Sequence, residues 1–408
     1  MILKFFKNIG PGPLIAAAFI GPGTVTVCTL AGANFGFALL WAMALSIFAT
    51  VVLQEMAARL GIVSQKGLSE IIREEITHPV VKVLAIILIL SAIVIGNAAY
   101  EAGNISGGAL GMEAIVGNVY WEIGSIKLNV MSLLIGIIAF VLLYIGNYNV
   151  LEKVFVFLVI LMSLAFITTA ILTKPNLVEV FKNIFIPKAP EGSILSVIAL
   201  IGTTVVPYNI FLHASLAKTK WKDNSDLKSA KKDTMIAVVL GGMVSMCIII
   251  AASAIQKQSI TSASDLALGL EPLFGSFAKY FLAIGLFAAG VTSAITAPLA
   301  AAFVTDGCLG WESDLKSKKF KAIWMVIVLL GVVFSSIGFK SIEIIKFAQV
   351  ANGILLPVIA GFLLWVMNKS SVLGTYKNSK LQNFLGLVIL VITIFLGLKG
   401  ILSVFELI

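Results

Sequence analysis

Two short stretches hold the residues whose types and spacing could do chemistry: Gly21-Pro22-Gly23-Thr24 and Val206-Pro207-Tyr208-Asn209, the second preceded by Thr203 and Thr204. Each interrupts an apolar run long enough to be a membrane helix. Proline removes a backbone donor and glycine favours non-helical dihedrals, so both helices are expected to unwind there. In hydrocarbon, bare peptide groups cost several kcal/mol, and such a break persists only inside protein or beside a water-filled cavity. The chemistry on offer is the holding of a small ion by backbone groups and hydroxyls. The plainer reading is a proline kink absorbed by neighbouring helices, and one break alone does not choose between the two.

Other polar residues lie at membrane depth. The segment from Ile86 to Met112 carries Asn97, Tyr100, Glu101, Asn104 and Ser106. A carboxyl group in a membrane is expensive and marks an ion or proton pathway by default, so Glu101 is a coupling candidate beside a purely structural, hydrogen-bonded role. Thr292, Ser293 and Thr296 either bond the preceding turn of their own helix or face a cavity. Gln349 and Asn352 are amides in an apolar helix, suited to interhelical bonds or to lining a cavity. Glu55 precedes Arg59 by four residues, the favourable order for a structural ion pair.

The elements that must position these residues are membrane helices. The 408 residues are 59% hydrophobic and 12% charged, with mean hydropathy +1.06; a soluble domain is about a quarter charged. Eleven spans are expected, near 13–37, 39–60, 82–112, 130–147, 152–173, 193–217, 234–255, 273–303, 321–338, 343–367 and 382–406. The Met1–Ile9 leader lacks a small-residue cleavage site and is read as part of the mature chain. With the N-terminus in the cytoplasm, 20 of the 29 basic residues fall on the cytoplasmic side and the C-terminus lies outside. The lysines of 218–232 then mark topology and meet lipid headgroups, so nucleic acid is not an expected partner. Cys28, Cys247 and Cys308 have no metal-ligand spacing, there are two histidines, and no nucleotide-binding or G-x-S-x-G motif occurs. Neither an enzyme nor a cofactor is expected, and a monomer is an open expectation.

Pro22 and Pro207 are five spans apart, and five spans reverse the direction of the chain through the membrane. Matching interruptions in two halves point to inverted repeats with a site at their interface near the midplane. The repeats are expected at about 13–173 and 193–367, with an extra helix at about 382–406, all in a single transmembrane domain.

Several segments resemble the Nramp divalent-metal transporters. They are Gly10-Pro11-Gly12-Pro13, Ala31-Gly32-Ala33-Asn34-Phe35-Gly36, the run from Ala57 to Val63, and Asn209-Ile210-Phe211-Leu212-His213-Ala214-Ser215. The resemblance covers nearly the whole chain and implies an all-α, LeuT-type membrane fold of two inverted five-helix repeats plus one helix. It also places His213 and Gln349 at family positions. The departures fall on the family's ligands: its Asp-Pro-Gly-Asn is Gly21-Pro22-Gly23-Thr24 here, and its Met-Pro-His-Asn is Val206-Pro207-Tyr208-Asn209. Its acidic pair in the third span falls on Asn97 and Tyr100, with Glu101 displaced by one.

Losing a carboxylate and a thioether removes the usual donors for a transition metal and leaves the positive ends of two half-helices exposed. The expectation is therefore a secondary transporter of a small inorganic anion, bicarbonate first, as a symporter with Na⁺ or H⁺ in the cell membrane. The alternative is a divalent cation, Mg²⁺ or Mn²⁺, held with much of its water; a non-transporting scaffold is third. The substrate set is Gly21, Gly23, Thr24, Thr203, Thr204, Val206, Tyr208, Asn209 and Gln349. The coupling set is Glu101, His213, Asn97, Thr292, Ser293 and Thr296. No resident metal is expected.

Overall fold

In a computed structural model of the chain, the described residues are 12, 21–123, 126–145, 148–255, 260, 262–268, 271–311, 316–336 and 341–404. The Met1–Ile9 leader, most of the Gly10–Pro13 segment and the part of the first span before Gly21 lie outside them.

The order begins with α1 (Pro22–Phe35), α2 (Leu40–Ser64) and the short α3 (Leu68–Glu75). α4 (Pro79–Leu90) continues through a π-helical stretch at Ser91–Ile95 into α5 (Gly96–Val116). A hairpin of β1 (Tyr120–Ile123) and β2 (Ile126–Asn129) pairs Tyr120 with Asn129 and leads into α6 (Val130–Ile145). Then come α7 (Tyr148–Leu172), α8 (Leu177–Phe185), α9 (Ile194–Thr204), α10 (Pro207–Lys220) and α11 (Leu227–Ala252). The short α12 (Ala263–Ala267) and α13 (Glu271–Phe274) precede the long α14 (Ala278–Leu309). The chain closes with α15 (Lys318–Ser336), α16 (Ser341–Met367), the one-turn α17 (Ser370–Leu373) and α18 (Lys380–Val404).

Among the described residues, eight helices are long and apolar enough to cross a membrane, or nine if a pair bent by 119° near Leu172 is one span. Expected spans two to eleven each coincide with one of these helices or with α6. The difference from eleven has two sources. α6 has 16 residues, about 24 Å at 1.5 Å per residue, short of a full hydrocarbon core. α1 is the second half of a span whose first half lies outside the described residues. Large apolar side chains such as Leu84, Ile137, Leu240 and Leu329 are exposed on the helix surfaces, where a bilayer would cover them.

With lipid as apolar as leucine, these helices associate through close packing of small residues. A Cβ on Gly290 would fall 2.5 Å from the Gly108 Cα, so α14 and α5 approach backbone to backbone. A Cβ on Gly107 would overlap the Pro22 ring, which presses the start of α1 onto α5. Gly202 of α9 is seated on α16, 2.7 Å from Gly353 N when given a Cβ. Polar clamps add register: Asn97 Nδ2 donates to Ala297 O at 2.9 Å, joining α5 to α14. Arg59 pairs with Glu55 at 3.1 Å and donates to Tyr376 O at 2.6 Å and Asn378 Oδ1 at 2.8 Å, tying α2 to the segment before α18.

Candidate ion site at the paired helix breaks

Gly21 is extended (φ −100°, ψ −175°) and Pro22 opens α1. At the second break α9 ends at Thr204, Val205 and Val206 are non-helical, and Pro207 opens α10. Both prolines stand where a helix has no use for the missing N–H, and each disfavours helix in the residue before it. The unwinding follows from local sequence and is held in place by packing.

The two breaks meet. Thr24 Oγ1 lies 2.8 Å from Thr203 Oγ1, a hydroxyl pair that joins α1 to α9 across 179 residues of sequence. Gln349 of α16 packs on Gly23 so closely that a Cβ there would collide with its amide nitrogen, and its Oε1 is buried without a partner. Ser293 of α14 packs on Gly21 in the same way. Tyr208, at the start of α10, sets its ring edge-to-face against Tyr100 of α5, with centroids 5.4 Å apart. Val206 and Asn209 are also fully buried beside the break. The structure thus brings together Gly21, Gly23, Thr24, Thr203, Val206, Tyr208, Asn209 and Gln349. Thr204 points elsewhere: its Oγ1 donates to Leu200 O at 3.0 Å and faces Met43 Sδ of α2 at 3.5 Å.

The coupling set divides. Ser293 faces Gly21, and Glu101 is linked to that face through Asn104, whose Nδ2 donates to Glu101 Oε2 at 3.3 Å. Glu101 also lies against Gly331 of α15, and its Oε1 is buried without a partner. Asn97 is committed to the Ala297 carbonyl. Thr292 Oγ1 donates to Ala288 O at 2.7 Å, and Thr296 Oγ1 donates to the Ser293 and Thr292 carbonyls at 3.2 and 3.3 Å. His213 sits deeper along α10, its Nδ1 donating to Gln54 Oε1 of α2 at 2.8 Å and its Nε2 3.5 Å from Thr234 of α11. Asn104 and Met43 are neighbours of the site that the sequence reading did not assign to it. Asn104 lies three positions after Glu101, on the same helical face, which is a usable signal; Met43 carries none.

The donors around the breaks are oxygens. Among the described residues no group of three or more His, Cys, Asp or Glu converges as a metal cage. Such a site suits a hard ion that keeps part of its hydration rather than one stripped and gripped by carboxylate and sulfur.

A family model described as natural resistance-associated macrophage protein-like, Nramp, matches residues 12–403. The chain is 28% identical over 412 residues to a metal transporter nramp1 homolog of Dictyostelium discoideum, covering 95% of this chain and 74% of that protein. It is 26% identical to a divalent metal cation transporter MntH of Staphylococcus haemolyticus, covering 99% and 93%. The solved manganese transporter of Eremococcus coleocola, in complex with an aromatic bis-isothiourea substituted compound, superposes with TM-score 0.79 at 20% identity, over 98% of this chain and 87% of that one.

These relatives, named as divalent metal and manganese transporters, overturn the bicarbonate expectation. Two of the backbone amides at the breaks are engaged: Asn209 N–H donates to Val206 O at 3.0 Å, and Val25 N–H to Gly21 O at 3.2 Å. The Gln349 side chain occupies the space against Gly23. Unpartnered side-chain atoms near the breaks include the acceptors Gln349 Oε1 and Glu101 Oε1 and the Ser293 hydroxyl.

Proposed function

The chain belongs to the Nramp family, and on that footing we propose that it is a secondary transporter of a divalent metal cation, Mg²⁺ or Mn²⁺, bound at the meeting of its two helix breaks. The observation that carries this reading is the buried Gln349 amide, whose nitrogen side packs on the break at Gly23 and whose Oε1, an atom able only to accept, has no hydrogen-bond partner. A buried acceptor left unmatched costs about 1–3 kcal/mol, and a cation or its bound water removes that cost. The Thr24 and Thr203 hydroxyls, paired with each other at 2.8 Å, add two more neutral oxygens at the same place. Mg²⁺ dehydrates reluctantly and keeps several waters, so neutral oxygens can bind its hydration shell where they would fail to strip it. The names of the relatives, divalent metal cation and manganese transporters, support the same class.

The site is closed, with Thr24, Thr203, Asn209 and Gln349 all buried. Passage then requires one set of helices to move against another around a fixed site, as inverted repeats of about 13–173 and 193–367 would allow. The N-terminus is proposed in the cytoplasm and the C-terminus outside. In that frame a negative-inside potential favours entry by about 2.3 kcal/mol per charge per 100 mV, twice over for a divalent ion. Uptake therefore needs no co-transported ion, and the proposed coupling roles of Glu101 and His213 concern gating or charge rather than driving force.

The test is uptake by purified protein in liposomes carrying an internal Mg²⁺- or Mn²⁺-sensitive dye. Saturable, voltage-stimulated uptake of either ion is expected. Folded protein that moves neither ion above empty liposomes contradicts the proposal.

A further inference from the structure

The three hydroxyls of α14 near the break do not behave alike. Thr292 and Thr296 bond carbonyls of their own helix, the ordinary use of a hydroxyl there. Ser293, next to Thr292 in sequence, is fully buried, and its Oγ has no hydrogen-bond partner. If Ser293 served only to let helices approach, alanine would do as well and leave no orphaned oxygen.

Its direction is specific. A Cβ built on Gly21 falls against Ser293 Oγ, 3.2 Å from Ser293 Cβ, with Asn104 Oδ1 next at 3.8 Å. Asn104 turns its amide nitrogen to Glu101 Oε2 at 3.3 Å, which leaves its oxygen towards Gly21. Two oxygens from two different helices thus converge on the space that a side chain at position 21 would fill.

We propose that Ser293 Oγ and Asn104 Oδ1 form the ligand pair at the Gly21 end of the ion site, and that Ser293 sets its specificity by standing where a residue-21 side chain would stand. This deepens the divalent-cation reading and rests on it. A pair of neutral oxygens binds a hard, partly hydrated ion through its water and holds softer metals no better, since those draw their preference from sulfur and nitrogen donors. The same occupancy explains why a carboxylate at position 21 cannot simply be restored: its Cβ and the Ser293 hydroxyl claim one volume.

The experiment uses the full chain and two independent readouts. In liposomes, Ser293→Ala is expected to raise the KM for Mg²⁺ about tenfold, the weight of one neutral ligand, with little change in kcat. In detergent, Ser293→Cys is expected to bind Cd²⁺ about tenfold or more tightly than the unmodified chain, because a thiol replaces a hydroxyl at the ligand position, and to add an ultraviolet thiolate-to-cadmium absorption. Gly21→Asp with Ser293→Gly should prefer Mn²⁺ over Mg²⁺, whereas Gly21→Asp alone should lose uptake. An unchanged Mg²⁺ KM in Ser293→Ala together with no new absorption in Ser293→Cys overturns the assignment. Failure of the unmodified chain to move any divalent ion overturns the transport reading instead, and the cadmium absorption still reports whether Ser293 faces an ion pocket.

Discussion

At the scale of single residues, the site is defined by what replaces charge. Position 21 is glycine and position 206 is valine, so the ligands left are hydroxyls and amides: Thr24 and Thr203 at 2.8 Å from one another, and Gln349 against Gly23. Replacing Gln349 with leucine removes the acceptor while keeping bulk. Its Mg²⁺ KM should rise about tenfold while the thermal midpoint is unchanged or higher, because an orphaned polar atom disappears. Uptake kinetics and thermal unfolding on one preparation check both halves of that statement. That Thr24 and Thr203 would be neighbours was legible from sequence, since the breaks announce themselves through proline and glycine, whereas Gln349 was placed beside them only by the family resemblance. The position of Ser293 was legible only as a hydroxyl in a helix. Whether it turns back to its own carbonyl, as Thr292 does, depends on packing against Gly21, which no local pattern encodes.

At the scale of elements, small residues and a few polar clamps decide which helices touch. Gly108 on α5 and Gly290 on α14 allow their backbones to meet. Gly290→Leu should prevent that approach and yield protein that fails to elute as a single species in size-exclusion chromatography. Arg59 is a different kind of clamp, a nearly buried guanidinium shared by Glu55, the Tyr376 carbonyl and Asn378. Arg59→Ala should cost about 2–3 kcal/mol, since hydrogen bonds to a buried charge are lost and Glu55 is left alone; a lowered thermal midpoint with near-normal ion affinity is the expected result. The Glu55–Arg59 pair was readable from its four-residue spacing, but its attachment to Tyr376 and Asn378 was not, because those partners lie more than 300 residues away. The hairpin at Tyr120–Asn129 was likewise not anticipated, being a short alternation between two much stronger apolar runs.

At the scale of the whole molecule, hydropathy carried the helix positions well, because in a bilayer every backbone group must be satisfied within its own span. It carried the substrate poorly. A missing carboxylate at position 21 suggests exposed positive helix ends and an anion, whereas the relatives are named for divalent metals and the Gln349 side chain fills the space against Gly23. The orientation proposed for the chain has its own check: with an impermeant maleimide on intact cells, Glu122→Cys in the hairpin should be labelled and Ser225→Cys, in the lysine-rich loop, should be protected until the cells are opened. The central claim is that neutral oxygens at two meeting helix breaks pass a divalent cation. Its most direct test is Mg²⁺ and Mn²⁺ uptake into liposomes by the purified chain, with Gln349→Leu as the paired control. Saturable uptake that weakens in the variant is the predicted result; no uptake above empty liposomes, or uptake indifferent to Gln349, would contradict it.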